Sequence, residues 1–103
     1  MKRVKILVVC GSGVATSMHV AYNLKQYLEN ANLNVIIDGA GNNELPFRYH
    51  NYDIIVSNTQ VTIDTDKPVF NSVPLLTGIG KEALVEKIIE AVKEIQNKRG
   101  NED

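Results

Sequence analysis

Hydrophobic positions along the chain alternate between two kinds of run. Short stretches dense in β-branched residues occur at Val4 to Val9, Leu33 to Asp38, Asp53 to Ser57 and Pro68 to Asn71, and each has the length and composition of a strand. The first is interrupted only by Lys5, as a strand covered on both faces would be. Between and after them the period changes. Val14, Met18, Ala21, Leu24 or Lys25, Leu28 and Ala31 recur at helical spacing, with Asn23, Gln26, Glu29 and Asn30 opposite, which predicts an amphipathic helix of about four turns. A second such face, Leu84, Ile88, Ala91, Val92 and Ile95 against Glu82, Glu86, Lys87, Glu90, Lys93 and Glu94, predicts a helix from Gly80 onward.

The connecting segments carry the punctuation. Asn30-Ala31-Asn32 ends the first helix, and Gly39-Ala40-Gly41-Asn42-Asn43 reads as a loop. Asn43 then caps a short helix to about His50 with Pro46 in its first turn. Asn58-Thr59-Gln60 reads as a polar loop before an extended Val61-Thr62-Ile63, and Pro74-Leu75-Leu76 as a short extension after the fourth strand. Residues 99–103, rich in polar groups and glycine, read as a frayed, flexible tail beyond a domain of residues 1–98. Strand and helix in alternation predict a single three-layer α/β domain with a four-stranded parallel sheet, Rossmann-like or doubly wound, carrying a phosphate loop after strand 1.

Bulk properties narrow the partners. With 103 residues, 44% hydrophobic and 22% charged, and a formal net charge of −1, the chain has one modest core and no electrostatic case for nucleic acid. No apolar run approaches the roughly 20 residues of a membrane span. A single cysteine excludes an internal disulfide, and with no leader-like start the cytosol is the expected compartment.

That cysteine, Cys10, stands where the first strand meets Gly11-Ser12-Gly13-Val14-Ala15-Thr16-Ser17, a small-residue loop opening into a helix. Small residues let backbone N–H groups approach an anion, glycines permit unusual dihedrals, and Ser12, Thr16 and Ser17 add hydroxyls. The same field favours thiolate over thiol, so Cys10 is a candidate nucleophile held beside a phosphate seat. Three related loops are separable from it. A tyrosine-phosphatase loop needs an arginine six positions after its cysteine, and Thr16 is there instead, so assisted hydrolysis is disfavoured. The dinucleotide fingerprint lacks its third glycine, again at Thr16, although Asp38 ends the second strand. No Gly-Lys-Ser/Thr of a nucleotide-hydrolysing loop is present. No cofactor motif is recognised, and neither His19 nor His50 has the spacing of a metal site. His19 reads as a partly exposed helix residue, and His50 as part of an aromatic segment, Phe47, Tyr49 and Tyr52, at a core edge.

Residues 8–17, Val-Val-Cys-Gly-Ser-Gly-Val-Ala-Thr-Ser, with Ala21, Leu24, Lys25 and Leu28 after them, resemble the phosphocysteine loop of enzyme IIB subunits of the bacterial phosphotransferase sugar-uptake system. The galactitol type is the nearest in pattern; the ascorbate and lactose types have related loops. The likeness continues through Asp53-Ile54-Ile55-Val56, Thr59, Pro68-Val69 and Pro74 to Gly80, into Glu82-Ala83-Leu84, and so covers nearly the whole chain. The resemblance implies that Cys10 receives a phosphoryl group from a phosphohistidine of enzyme IIA and passes it to a sugar or sugar alcohol held by the membrane enzyme IIC, with the chain working at the inner membrane face through IIC. It implies no cofactor. A IIA partner is then expected to contact the rim of the loop, with Val14, Met18, Thr59 and Thr77-Gly78-Ile79 as candidates. A low-molecular-weight phosphatase or reductase-like enzyme, or a binding module with a structural thiol, are the readings the residues otherwise allow.

Overall fold

The computed structural model describes residues 4–10, 14–41, 44–57 and 67–102, with backbone alone at 14–16, 76 and 99–102. Four strands, β1 (Val4–Cys10), β2 (Val35–Gly41), β3 (Ile54–Ser57) and β4 (Val69–Asn71), form one sheet in the order β2-β1-β3-β4. Every pairing is parallel. The α-helices are α1 (Val14–Asn30), α2 (Leu45–Arg48), α3 (Val73–Thr77) and α4 (Lys81–Glu102), and a 3-10 turn at Tyr49–Asn51 continues α2. The three-layer, four-stranded parallel architecture expected from the strand and helix periods is therefore observed.

Alternation along β1 sorts the core into two parts. Val4, Ile6, Val8 and Cys10 join Val20, Leu24 and Leu28 of α1, Ile54 and Val56 of β3, and Leu84, Val85, Ile88 and Val92 of α4. Leu7 and Val9 point the other way, into a smaller cluster with Ala40, Leu45, Tyr52 and Ile55. Between these layers Val8, Val9, Ile55 and Val56 are fully buried, which explains why β1 and β3 read as continuous apolar runs.

The ends of α1 follow local chemistry. Its C-terminus closes in a Schellman arrangement: Leu33 N–H donates to the Leu28 carbonyl at 3.1 Å, and Asn32 takes φ 63°. Asparagine tolerates that left-handed conformation better than most residues. Along the helix the inward face is Ser17, Val20, Ala21, Leu24 and Leu28, whereas Met18, expected in the apolar stripe, is 58% exposed. β2 comes close to the helix at Ser17, where a Cβ on Gly39 would meet helix backbone, and Met18 lies outside the buried face.

Other expectations are corrected. Gly39-Ala40-Gly41 is not a loop but the end of β2, in register with Val8, Val9 and Cys10. The short helix begins with Glu44 at its N-cap position and Pro46 in the first turn, and Glu44 makes no side-chain cap; Asn43 lies outside the described residues, as does Val61-Thr62-Ile63. Pro74-Leu75-Leu76 is helical rather than extended. Asn71 Oδ1 accepts the Val73 N–H at 2.9 Å, and the chain leaves α3 through Gly78 at φ 84°, whose N–H donates to the Pro74 carbonyl at 2.9 Å. An Asx turn, a proline in the first turn and a left-handed glycine together specify a helical turn. The backbone of α4 stays helical through Glu102, into the segment read as a tail.

Candidate functional site

In a parallel sheet of this order the ligand-bearing edge is the carboxyl end of the strands, where the chain leaves β1 in one direction for β2 and later returns on its other side. Cys10 is the last residue of β1, which lies between β2 and β3. Its side chain faces α1 and α4 and is fully buried. Across the ladder it pairs with Gly41, so no side chain of β2 stands beside the thiol at that rung. The 17-residue α1 begins at Val14, four residues downstream of the strand end, and its unsatisfied N-terminal N–H groups and positive dipole end lie at the carboxyl edge of the sheet.

Electrostatically the thiol is not simply activated. Burial pushes the Cys10 thiol above its ordinary value, opposite to the lowering expected from an anion-binding loop. Gly11, Ser12 and Gly13, and the side chains of Val14, Ala15 and Thr16, lie outside the described residues. Ser17 is described: its side chain is fully buried with the hydroxyl packed toward β2 at Gly39.

Residues farther out are placed as follows. His19 is exposed on α1, its Nε2 3.4 Å from Asn23 Nδ2. His50 is exposed and stacks at 3.9 Å between ring centroids on Tyr49. Of its aromatic neighbours Tyr52 is buried, while Phe47, expected at the core edge, is 82% exposed. Of the candidate docking residues, Met18 and Ile79 are exposed; Ile79 follows a turn in which Thr77 Oγ1 donates to the Val73 carbonyl and accepts the Ile79 N–H, each at 3.2 Å. Val14's side chain and Thr59 lie outside the described residues.

A polar assembly that the sequence did not advertise braces the end of β2. Tyr52 Oη donates to Asp38 Oδ2 at 2.8 Å, Arg48 Nη2 donates to Tyr52 Oη at 2.8 Å, and Gly41 N–H donates to Glu44 Oε2 at 2.8 Å. Lys67 extends it, donating to the carbonyls of Tyr49 and His50 at 3.1 and 3.2 Å and to that of Tyr52. Burial, reinforced by the Asp38 contact and opposed by Arg48, raises the Tyr52 phenol above its usual value. In sequence Glu44, Arg48 and Tyr52 are spaced by four; the helix brings the first two together, Arg48 Nη1 lying 3.8 Å from Glu44 Oε1, while Tyr52 follows the 3-10 turn in extended backbone.

Comparison with known proteins agrees with this arrangement. A match to the family described as "PTS system, Lactose/Cellobiose specific IIB subunit" extends over residues 5–98. The chain is 34% identical over 84 residues to the phosphotransferase enzyme IIB component SgcB of Escherichia coli K12, covering 82% of this chain and 91% of the relative. It is 36% identical over 90 residues to the galactitol-specific EIIB component of the same strain, covering 86% and 95%. In fold it is similar to the lactose-specific IIB domain of Streptococcus pneumoniae, TM-score 0.57 at 17% identity over 93% of this chain and 97% of that one. The cellobiose-specific IIB component of Borrelia burgdorferi follows at TM-score 0.55 and 19% identity, covering 94% of each. Among the described residues no helix is long and apolar enough to cross a membrane. A parallel four-stranded domain with its lone cysteine at the end of the central first strand, matched over residues 5–98, belongs to the phosphotransferase-system IIB family, whose members are phosphotransferases.

Proposed function

We propose that this chain is a phosphocysteine relay. Cys10 accepts a phosphoryl group from a phosphohistidine of enzyme IIA and hands it to a sugar or sugar alcohol, galactitol by its likeness to the galactitol-specific relative, bound by the membrane enzyme IIC at the inner face of the membrane. The observation that carries this reading is the position of Cys10: the end of the central strand, directly ahead of the N-terminus of α1.

In the first transfer the Cys10 sulfur attacks phosphorus, the S–P bond forms and the N–P bond to imidazole breaks. The thiol proton leaves with that step, and the released imidazole nitrogen is a base able to take it. In the second transfer a substrate hydroxyl oxygen attacks, O–P forms, S–P breaks and the thiolate is restored, the hydroxyl proton passing to base or solvent. Backbone N–H groups of Gly11, Ser12, Gly13, Val14, Ala15, Thr16 and Ser17, with the α1 dipole, are the proposed seat for the equatorial oxygens. Thr16, where a phosphatase has arginine, leaves hydrolysis unassisted. Burial raises the resting thiol, so the proton on Cys10 has to be given up as the S–P bond forms rather than beforehand.

The test is mass spectrometry of the full chain after incubation with the general phosphotransferase proteins, their phosphate donor and a IIA. One phosphoryl group is expected on Cys10 and none in Cys10→Ser; an unmodified wild type beside a demonstrably phosphorylated IIA rejects the relay.

A further inference from the structure

On the face of the sheet covered by α1, β2 carries no side chain at Gly39, and the spacing is the reason. A Cβ there would lie 2.8 Å from the Met18 backbone nitrogen, 2.9 Å from the Ser17 carbonyl carbon and 2.9 Å from Ser17 Oγ. Such separations are closer than real Cβ atoms tolerate. Two of the three atoms are helix backbone, which cannot swing aside as a side-chain tip does, and the third belongs to a fully buried serine. To admit even a methyl group, strand or helix must move.

What holds each decides which moves. β2 is paired with β1 over seven rungs, from Val4↔Val35 to Cys10↔Gly41. It is anchored again on either side of Gly39: Asp38 by the Tyr52 hydroxyl and Gly41 by the Glu44 carboxylate, both at 2.8 Å. The first turn of α1, from Val14, is a helix end whose leading N–H groups have no intrahelical partner. A side chain at position 39 therefore lifts the start of α1 off the sheet and leaves β2 in place.

We propose that Gly39 is a positioning residue for phosphoryl transfer at Cys10, its missing side chain setting the distance between the N-terminal turns of α1 and the strand edge that carries the thiol. This rests on the relay reading, in which those turns help seat the phosphoryl group. Transfer tolerates little misplacement, a shift of about 1 Å costing about 100-fold in rate. Admitting a Cβ needs several tenths of an ångström, so Gly39→Ala is expected to slow transfer by about tenfold.

The experiment compares the full-length wild type, Gly39→Ala and Val35→Ala, the last a cavity at the opposite end of the same strand. Three quantities are read: folded fraction by circular dichroism, single-turnover phosphorylation by phosphorylated IIA, and alkylation of Cys10 by iodoacetamide, which needs no partner. Trimethylamine N-oxide is added to all three if Gly39→Ala is not fully folded. The expected result is a folded Gly39→Ala with about tenfold slower transfer at saturating donor, an apparent KM within about twofold, and an alkylation rate changed at least threefold. Val35→Ala matches wild type in both rates. In Gly39→Ala/Tyr52→Phe, where β2 is freed to absorb part of the displacement, transfer recovers in part. Wild-type rates in Gly39→Ala, equal slowing in Val35→Ala, or failure of Gly39→Ala to fold even with the osmolyte overturns the positioning role. No phosphorylation of the wild type by an active donor instead defeats the relay reading itself, while the alkylation ratio still reports whether the seat of α1 moved.

Discussion

Under α1 and α4 the sheet is held by a continuous apolar layer that runs the length of the strands, from Val4 and Leu28 at one end to Cys10 at the other. The opposite face has a small cluster around Leu7, Ile55 and Leu45, one turn of α2, and a chain of hydrogen bonds from Lys67 through the 49–52 carbonyls to Tyr52, Asp38 and Arg48. The two layers differ in what each can do. Apolar burial is non-directional and supplies most of the stability, whereas hydrogen bonds contribute modestly but fix geometry. The first face makes the domain stable, and the second fixes the carboxyl end of β2, the strand neighbouring Cys10.

Truncations in the two apolar layers test this division most strongly. Leu24→Ala, on a fully buried α1 residue, is expected to cost about 3–4 kcal/mol, and Leu45→Ala about 2 kcal/mol because a thin layer collapses more easily around the void. Urea unfolding of both decides it: equal losses would mean the faces share the load. Next in size is Lys67→Met, which leaves three carbonyls without their cation and should cost about 1–2 kcal/mol. Its loss should also appear as faster amide exchange confined to residues 45–57; exchange spreading to α4 would deny that the second face acts locally. Tyr52→Phe deletes one hydroxyl between Asp38 and Arg48 and is expected to cost about 1 kcal/mol.

The smallest effect is a pH dependence, and each face contributes one group. Cys10 and Tyr52 are acids whose pKa values are raised in the fold, the thiol by burial and the phenol by burial and then Asp38. Their folded forms hold the proton more tightly than the unfolded chain does, so stability is fully present below the ordinary value and declines as pH rises through it. The decline therefore begins at about pH 8–9 for Cys10 and about pH 10 for Tyr52. Cys10→Ala should flatten the first part of the stability curve and Tyr52→Phe the second, read from urea midpoints across that range. A curve for Cys10→Ala that still falls from pH 8 as steeply as wild type would show that the thiol is not desolvated.

How much was legible depended on whether the signal was local. Strands β1, β3 and β4 announced themselves through apolar density, and α1 and α4 through their period, because a half-buried helix must repeat every 3.6 residues. The third helix was misread: Pro74-Leu75-Leu76 has no periodicity to show, and its helical state depends on Asn71 and Gly78 at its ends. The candidate site was half visible. Cys10 and its small-residue loop could be picked out from residue types alone, but Gly39, which the structure sets against Ser17, looked like one more loop glycine. Met18 falls in the apolar stripe by period and is also a docking candidate; it stands outward, since spacing gives a stripe but not its rotation.

The sequence by itself determined the fold class, the order of the four strands with the two long helices, and Cys10 as the candidate nucleophile. Those depend on nearest-neighbour chemistry: side-chain period, turn residues, and a thiol before a glycine-rich turn. Tertiary structure alone decided that Gly39-Ala40-Gly41 completes β2, that the helix meets it through Ser17, and that Glu44, Tyr52 and Lys67 brace that edge. It also decided that the thiol is desolvated at rest. These are contacts between segments far apart in the chain, and their distances arise only when the layers pack, so no pattern of neighbours along the sequence encodes them directly.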